Sequence, residues 1–209
     1  MGGGSAVNPD VAQAEVVAAR GCGFVRGGER RRGDGVESDV ACAGWVEDQL
    51  LPAVRRAKPD VVAVMVTTWD LVGRRWTTEE LLSPVDAEFR ARLADAYTAL
   101  VDQLRFTGAP KIVFVREPVP DVWWLPVVQD EDEPERHQVL YDVYAALEAD
   151  HPDVVEVVAF DEWFTDQGFD RDEAVRPDGV HLDTPYAQQI VADYLGEQLI
   201  RAALGMEVT

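Results

Sequence analysis

The order of the apolar segments constrains this chain more than any single residue does. Residues 61–66 are an unbroken apolar run (Val61, Val62, Ala63, Val64, Met65, Val66), mostly β-branched. Such a run suits a parallel strand covered on both faces. Segment 86–105 then has helical spacing, with Phe89, Leu93, Tyr97, Leu100 and Leu104 on one side. Gly108-Ala109-Pro110 ends it, and 112–115 reads as the next strand.

The same alternation continues on both sides. Segment 134–149 is helical in period, with Val139, Tyr141, Val143, Ala146 and Leu147 apolar, and 154–160 reads as a strand. Thr184 is an N-cap with Pro185 at the first helical position, opening a helix to about Leu204 whose Ile190, Val191, Tyr194 and Leu195 face inward. Towards the start, 44–57 has helical spacing through Val46, Leu50, Leu51 and Val54. Residues 15–19 read as a short buried strand ending in the turn Gly21-Cys22-Gly23. Strands alternating with helices predict an α/β fold, a three-layer doubly wound parallel sheet. Ligands bind such sheets beyond the carboxyl ends of the strands. Segments 21–23, 67–70, 117–124 and 161–181 all follow strands, so they are expected at one edge. Nothing suggests a second domain, so 1–209 is read as one.

Charge narrows the partners. The formal charge is −20, with a pI near 4.3. A field of that sign disfavours nucleic acid and anionic membrane. No apolar run is long enough to span a bilayer, and residues 1–5 lack the basic start and apolar centre of a signal peptide. The local exception is 26–32, where four arginines stand among glycines; it reads as a solvated loop rather than an anion site. Cys22 and Cys42 do not make a metal site, because the three histidines lie far off in sequence. A Cys22–Cys42 disulfide is the expectation, with an oxidising, extracytoplasmic setting.

The chemistry concentrates in 176–185, Arg-Pro-Asp-Gly-Val-His-Leu-Asp-Thr-Pro. Asp178 and His181 stand three residues apart in a turn before a helix. A carboxylate beside an imidazole holds one tautomer and stabilises the imidazolium formed when the ring takes a hydroxyl proton. A merely solvated histidine in an Asp-Gly turn is the competing reading. His137 and His151 read as surface residues. Trp123 and Trp124, adjacent in a long loop, are candidates for substrate contact.

These residues resemble the SGNH hydrolases, the GDSL-type esterases and acetyltransferases. The likeness is greatest to SGNH domains found alone or fused to membrane O-acyltransferases. Asp178-Gly179-Val180-His181 matches the last motif, Asp-x-x-His. Thr67-Thr68-Trp69-Asp70 falls on the third motif, Gly-x-Asn-Asp, and Gly23 on the glycine of the second. Cys42-Ala43-Gly44-Trp45 also looks like that subgroup. The resemblance implies a flavodoxin-like SGNH fold. It implies hydrolysis or transfer of an O-acyl group through a serine ester, on a small-molecule or carbohydrate ester, with no metal or other cofactor. His181 would be base and then acid, Asp178 its orienting partner, and Gly23 an oxyanion donor. Trp69 stands where the family has its oxyanion asparagine, and Asp70 falls among the substrate-site residues, with a structural bond to loop amides expected.

The first motif, Gly-Asp-Ser, is not found. It belongs at the end of a first strand, before residues 15–19, and Ser5 is the sole serine there. The reading is therefore a domain lacking its first β-α unit, N-terminally incomplete and catalytically silent as it stands. A non-catalytic carbohydrate- or ester-binding domain derived from this family is the alternative.

Overall fold

The computed structural model describes residues 14–65, 68–77, 80–125 and 129–208. Ser5 and Thr67 lie outside the described residues. In chain order the regular elements are β1 (Glu29–Arg32), β2 (Gly35–Ser38), α1 (Leu51–Ala57), β3 (Val62–Val64), β4 (Arg74–Arg75), α2 (Ala87–Phe106), β5 (Ile112–Val115), α3 (Pro134–Asp150), β6 (Val155–Val158), α4 (Phe160–Asp166), α5 (Thr184–Ile190) and α6 (Gly196–Ala203). A π-helical turn, Val46–Leu50, leads into α1, and another, Val191–Leu195, joins α5 to α6.

The parallel sheet has the order β3-β5-β6. Val64 pairs with Phe114, and Phe114 with Val157, in register. Alternate side chains enter two cores. Val62, Val64, Ile112, Phe114 and Val155 face the helices α1, α2 and α3. Val113, Val115 and Val158 face Phe160, Phe164, Ile190, Tyr194 and Ala202. Helices thus cover both faces of the sheet, the three-layer α/β arrangement that the alternation required, except at the edge strand β3, where Ala63 and the following Met65 are exposed and the expected two-sided cover of 61–66 is not met. The expected face of α2 is the buried one: Phe89, Leu93, Tyr97, Leu100 and Leu104 are all sealed. Burying each such side chain stabilises by roughly 1.5–3 kcal/mol.

Several expectations are corrected. Residues 15–19 are not a strand; Val16 is 87 % exposed. A strand needs a neighbour to complete its ladder, and among the described residues none lies beside this segment. It runs instead along α1, where Glu15 pairs with Arg56. The arginine-rich stretch is not a solvated loop. It forms a second, antiparallel sheet of order β2-β1-β4. Arg30 and Arg32 bond Glu37, Arg31 bonds Asp130 and Arg26 bonds Glu47. Four carboxylate contacts convert like charges into a folded hairpin. His137 is buried on α3 against Tyr141, because the inward face of that helix is wider than its apolar pattern. The cap of α5 is Asp183, one residue before Thr184, and Val191 faces outward where the helix widens into its π turn.

Cys22 and Cys42 form a disulfide. The bridge pins the turn at Gly21 to the short 3-10 segment Asp39–Cys42. No described helix is long and apolar enough to cross a membrane.

Candidate functional site

The site candidates gather in two regions, each built by a different device. The first is the turn 176–181, beyond the carboxyl ends of β5 and β6. Gly179 adopts φ +74°, and the Gly179 N–H donates to Arg176 O at 3.0 Å. The turn is self-bonded around Asp178. One carboxylate oxygen accepts from the Val180 and His181 amides at 2.9 and 2.7 Å, and the other lies 2.7 Å from His181 Nδ1. Partial burial opposes ionisation of Asp178. The bonds from the His181 ring and from the two amides outweigh it, so Asp178 titrates at about 2. The carboxylate is therefore charged throughout the neutral range and holds Nδ1 as the protonated nitrogen. The His181 side chain is 83 % exposed, which leaves the Nε2 side of the ring accessible.

The loop after β5 lies against this turn. Trp124 Nε1 donates to Asp178 O at 3.2 Å, and Asp121 N donates to Gly179 O at 3.0 Å. A Cβ on Gly179 would stand 1.9 Å from Asp121 O and 3.0 Å from the Trp123 ring. Only glycine permits that approach. Trp123 and Trp124 are 39 % and 60 % exposed, so both indoles border the dyad with open surface. The structure thus brings Asp178, His181, Trp123 and Trp124 together.

The second region holds Gly23, Trp69 and Asp70. Asp70 is fully buried. It accepts from the Phe24 and Val25 amides at 2.8 Å each and from the Tyr97 hydroxyl at 2.9 Å. Burial raises its pKa, and those three donors together with Arg74 oppose the rise. A Cβ on Gly23 would fall 2.1 Å from the Asp70 carboxylate. Gly23 is thus the one residue type that lets the loop close over Asp70. The carboxylate bonds loop amides, as its structural reading had it, and is sealed from any ligand in this conformation. Trp69 lies against the Arg30 guanidinium, 4.7 Å from the ring centroid. Among the described residues, no hydrogen bond or ring contact joins His181 to Gly23 or Trp69.

Two neighbours of the dyad escaped sequence reading. Arg176 opens the dyad segment yet is only 3 % exposed. Its guanidinium donates to Val119 O at 2.9 Å, and more weakly to Val180 O at 3.4 Å and Pro118 O at 3.5 Å. Glu117, two residues past β5, is pushed up to about 8 by burial, with Arg176 pulling the other way. Its position directly after a central strand was the available signal.

No curated protein and no solved structure matches the chain. A family model does, over residues 2–185, spanning both regions and the whole parallel sheet. With an ordered set of motifs on an α/β sheet and a match of that length, the chain belongs to the GDSL-like Lipase/Acylhydrolase family.

Proposed function

We propose that this is an SGNH-type ester hydrolase or O-acyltransferase domain acting on an O-acylated carbohydrate or other small ester. Family membership carries the ester chemistry. The observation that supports His181 and Asp178 as its base and orienting partner is the 2.7 Å contact between Nδ1 and the ionised carboxylate, with the ring exposed.

In this reading His181 Nε2 removes the proton from a serine hydroxyl as its oxygen attacks the ester carbonyl. The imidazolium is stabilised by Asp178. Its proton passes to the departing alcohol oxygen as the tetrahedral intermediate collapses to the acyl-enzyme. Water or a second alcohol, deprotonated by the same ring, then takes the acyl group, and the ring returns that proton to the departing serine oxygen. The Gly23 amide would meet the oxyanion, and the indoles of Trp123 and Trp124 would face the alcohol portion. The scheme calls for no cofactor. Trp69, already against Arg30, replaces the usual asparagine donor. The sequence holds no Gly-Asp-Ser motif to supply the hydroxyl nucleophile, and the residues around Ser5 do not read as a strand-to-helix turn. The disulfide favours an oxidising compartment.

A second reading is a carbohydrate- or ester-binding domain without turnover. It is favoured by the absence of a Gly-Asp-Ser motif from the sequence. The test is treatment of the full chain and of His181→Ala with a serine-reactive fluorophosphonate, alongside hydrolysis of an aryl acetate. Labelling and turnover that vanish in His181→Ala support the esterase. Equal turnover in both removes His181 from the mechanism. No labelling, with acetylated oligosaccharide quenching the exposed tryptophans, supports the binding domain.

A further inference from the structure

We propose that Arg176 is the positioning residue of this site: it locks the Asp178–His181 turn to the tryptophan loop, so that dyad and indoles are held as one body. The inference rests on the ester-site reading for its purpose, but its geometry stands separately.

The bonds inside the turn fix His181 relative to Asp178. They do not fix the turn relative to anything else. Its flanks are anchored by Val175, sealed in the second core, and by the bonds Arg176 N to Asp172 O and Asp183 N to Val175 O at 2.8 Å each, while its placement against the tryptophans comes from contacts with the loop after β5. Asp121 N meets Gly179 O, and Trp124 Nε1 meets Asp178 O. The Arg171 side chain adds a bond to Asp121 at 2.6 Å. Each of these loop contacts involves an exposed or half-exposed partner that water can replace. Arg176 differs. It is buried, and its fork spans Val119 O in the loop and Val180 O in the turn. Its guanidinium also lies 5.5 Å from the Phe164 ring centroid on α4. Removing it would take away the donor that Val119 O in the loop and Val180 O in the turn share. Burial works against its charge and holds its pKa below the usual arginine range, with Asp170, Asp178, Glu117 and Asp121 pulling the other way.

The test uses the full chain with Arg176→Met and Arg176→Lys, followed by NMR. Two readouts matter: hydrogen exchange at the Asp121 amide, and the cross-peak between the Trp123 ring and Gly179 Hα. In Arg176→Met the expected result is at least tenfold faster exchange at Asp121 and loss of the cross-peak. Exchange in β5 should stay within twofold, and the His181 Nδ1 proton should remain bonded. Arg176→Lys should show the same local change to a smaller degree. If Arg176→Met does not fold, Arg176→Lys is judged by the same criteria. Unchanged loop exchange and cross-peak in a folded variant would overturn the proposal. So would equal acceleration in β5 and the loop, which would make Arg176 a general support of the fold. Aryl acetate hydrolysis on the same samples reports on the ester reading separately. A local loosening in a chain without turnover keeps the clamp and counts against the ester chemistry.

Discussion

The dyad turn and the Gly23–Asp70 loop are both short segments beyond strand ends, yet they are held by opposite means. Asp70 is a buried carboxylate, and the loop is draped over it by amides and a tyrosine hydroxyl. An aromatic stack continues inward: Phe24 to Tyr97 at 5.5 Å, Tyr97 to Tyr144 at 5.5 Å, and Tyr144 to Phe114 at 4.6 Å. That region is part of the core. In the dyad turn the carboxylate points outward, bonds its own turn and leaves an imidazole in solvent. The difference separates residues that maintain shape from residues free to meet a ligand. The most buried carboxylate of the motif set is the least available for chemistry.

Breaking the buried side should give the largest effect. Asp70→Ala should destabilise by roughly 3–5 kcal/mol, because two amides and one hydroxyl lose a partner at roughly 1–3 kcal/mol each. Urea unfolding at neutral pH measures it; a loss below 1 kcal/mol would mean the loop does not depend on Asp70. The disulfide secures the same region. Reducing it, or replacing both cysteines by alanine, should cost about 3 kcal/mol on the chain-entropy model and lower the melting temperature.

Glu117 tests the boundary between the two regions, since it faces Arg176 on one side and Tyr144 on the other. Its folded value of about 8 lies above the ordinary 4.5, so folding favours the protonated form. That contribution is full below pH 4.5 and disappears as pH rises to about 8. Glu117→Gln should therefore flatten the fall in stability between pH 5 and 8. The gain above pH 8 should be about 2 kcal/mol, after discounting for the residue's partial exposure. Parallel stability curves for the two proteins across this range would reject the assignment.

On the exposed side, Gly179→Ala should cost about 2 kcal/mol. A positive φ and a collision with the Asp121 carbonyl act together. Its nuclear magnetic resonance changes should centre on Trp123 and Asp121. Finally, His181→Ala should change stability by less than about 0.5 kcal/mol. A drop of several degrees in melting temperature would show that the exposed ring supports the fold.

Much of this was legible beforehand. The α2 face, the β5 boundaries and the Asp178–His181 contact follow from short-range rules of period and spacing, so they could be read from neighbouring letters. The disulfide partners were the only two cysteines. The failures share a cause. The strand expected at 15–19 needs a neighbour, and β-branched letters cannot supply one. The 26–32 hairpin needed Glu37 across its own turn and the more distant Glu47 and Asp130 to neutralise its arginines. His137 reads as a surface residue only while the buried face of α3 is confined to the apolar positions of its pattern; Arg136, Leu140 and Tyr144 are buried there too.

The sequence by itself therefore determined the layers of the sheet, the family and the dyad, since these rest on local periodicity and a motif closed within four residues. Only the tertiary structure decided which carboxylate is sealed and which is open, and that Arg176 lies buried between two loops. It also decided that Glu117 sits where its proton is held to about pH 8. Burial and long-range pairing set the dielectric around each charged group, and no short window of sequence contains either.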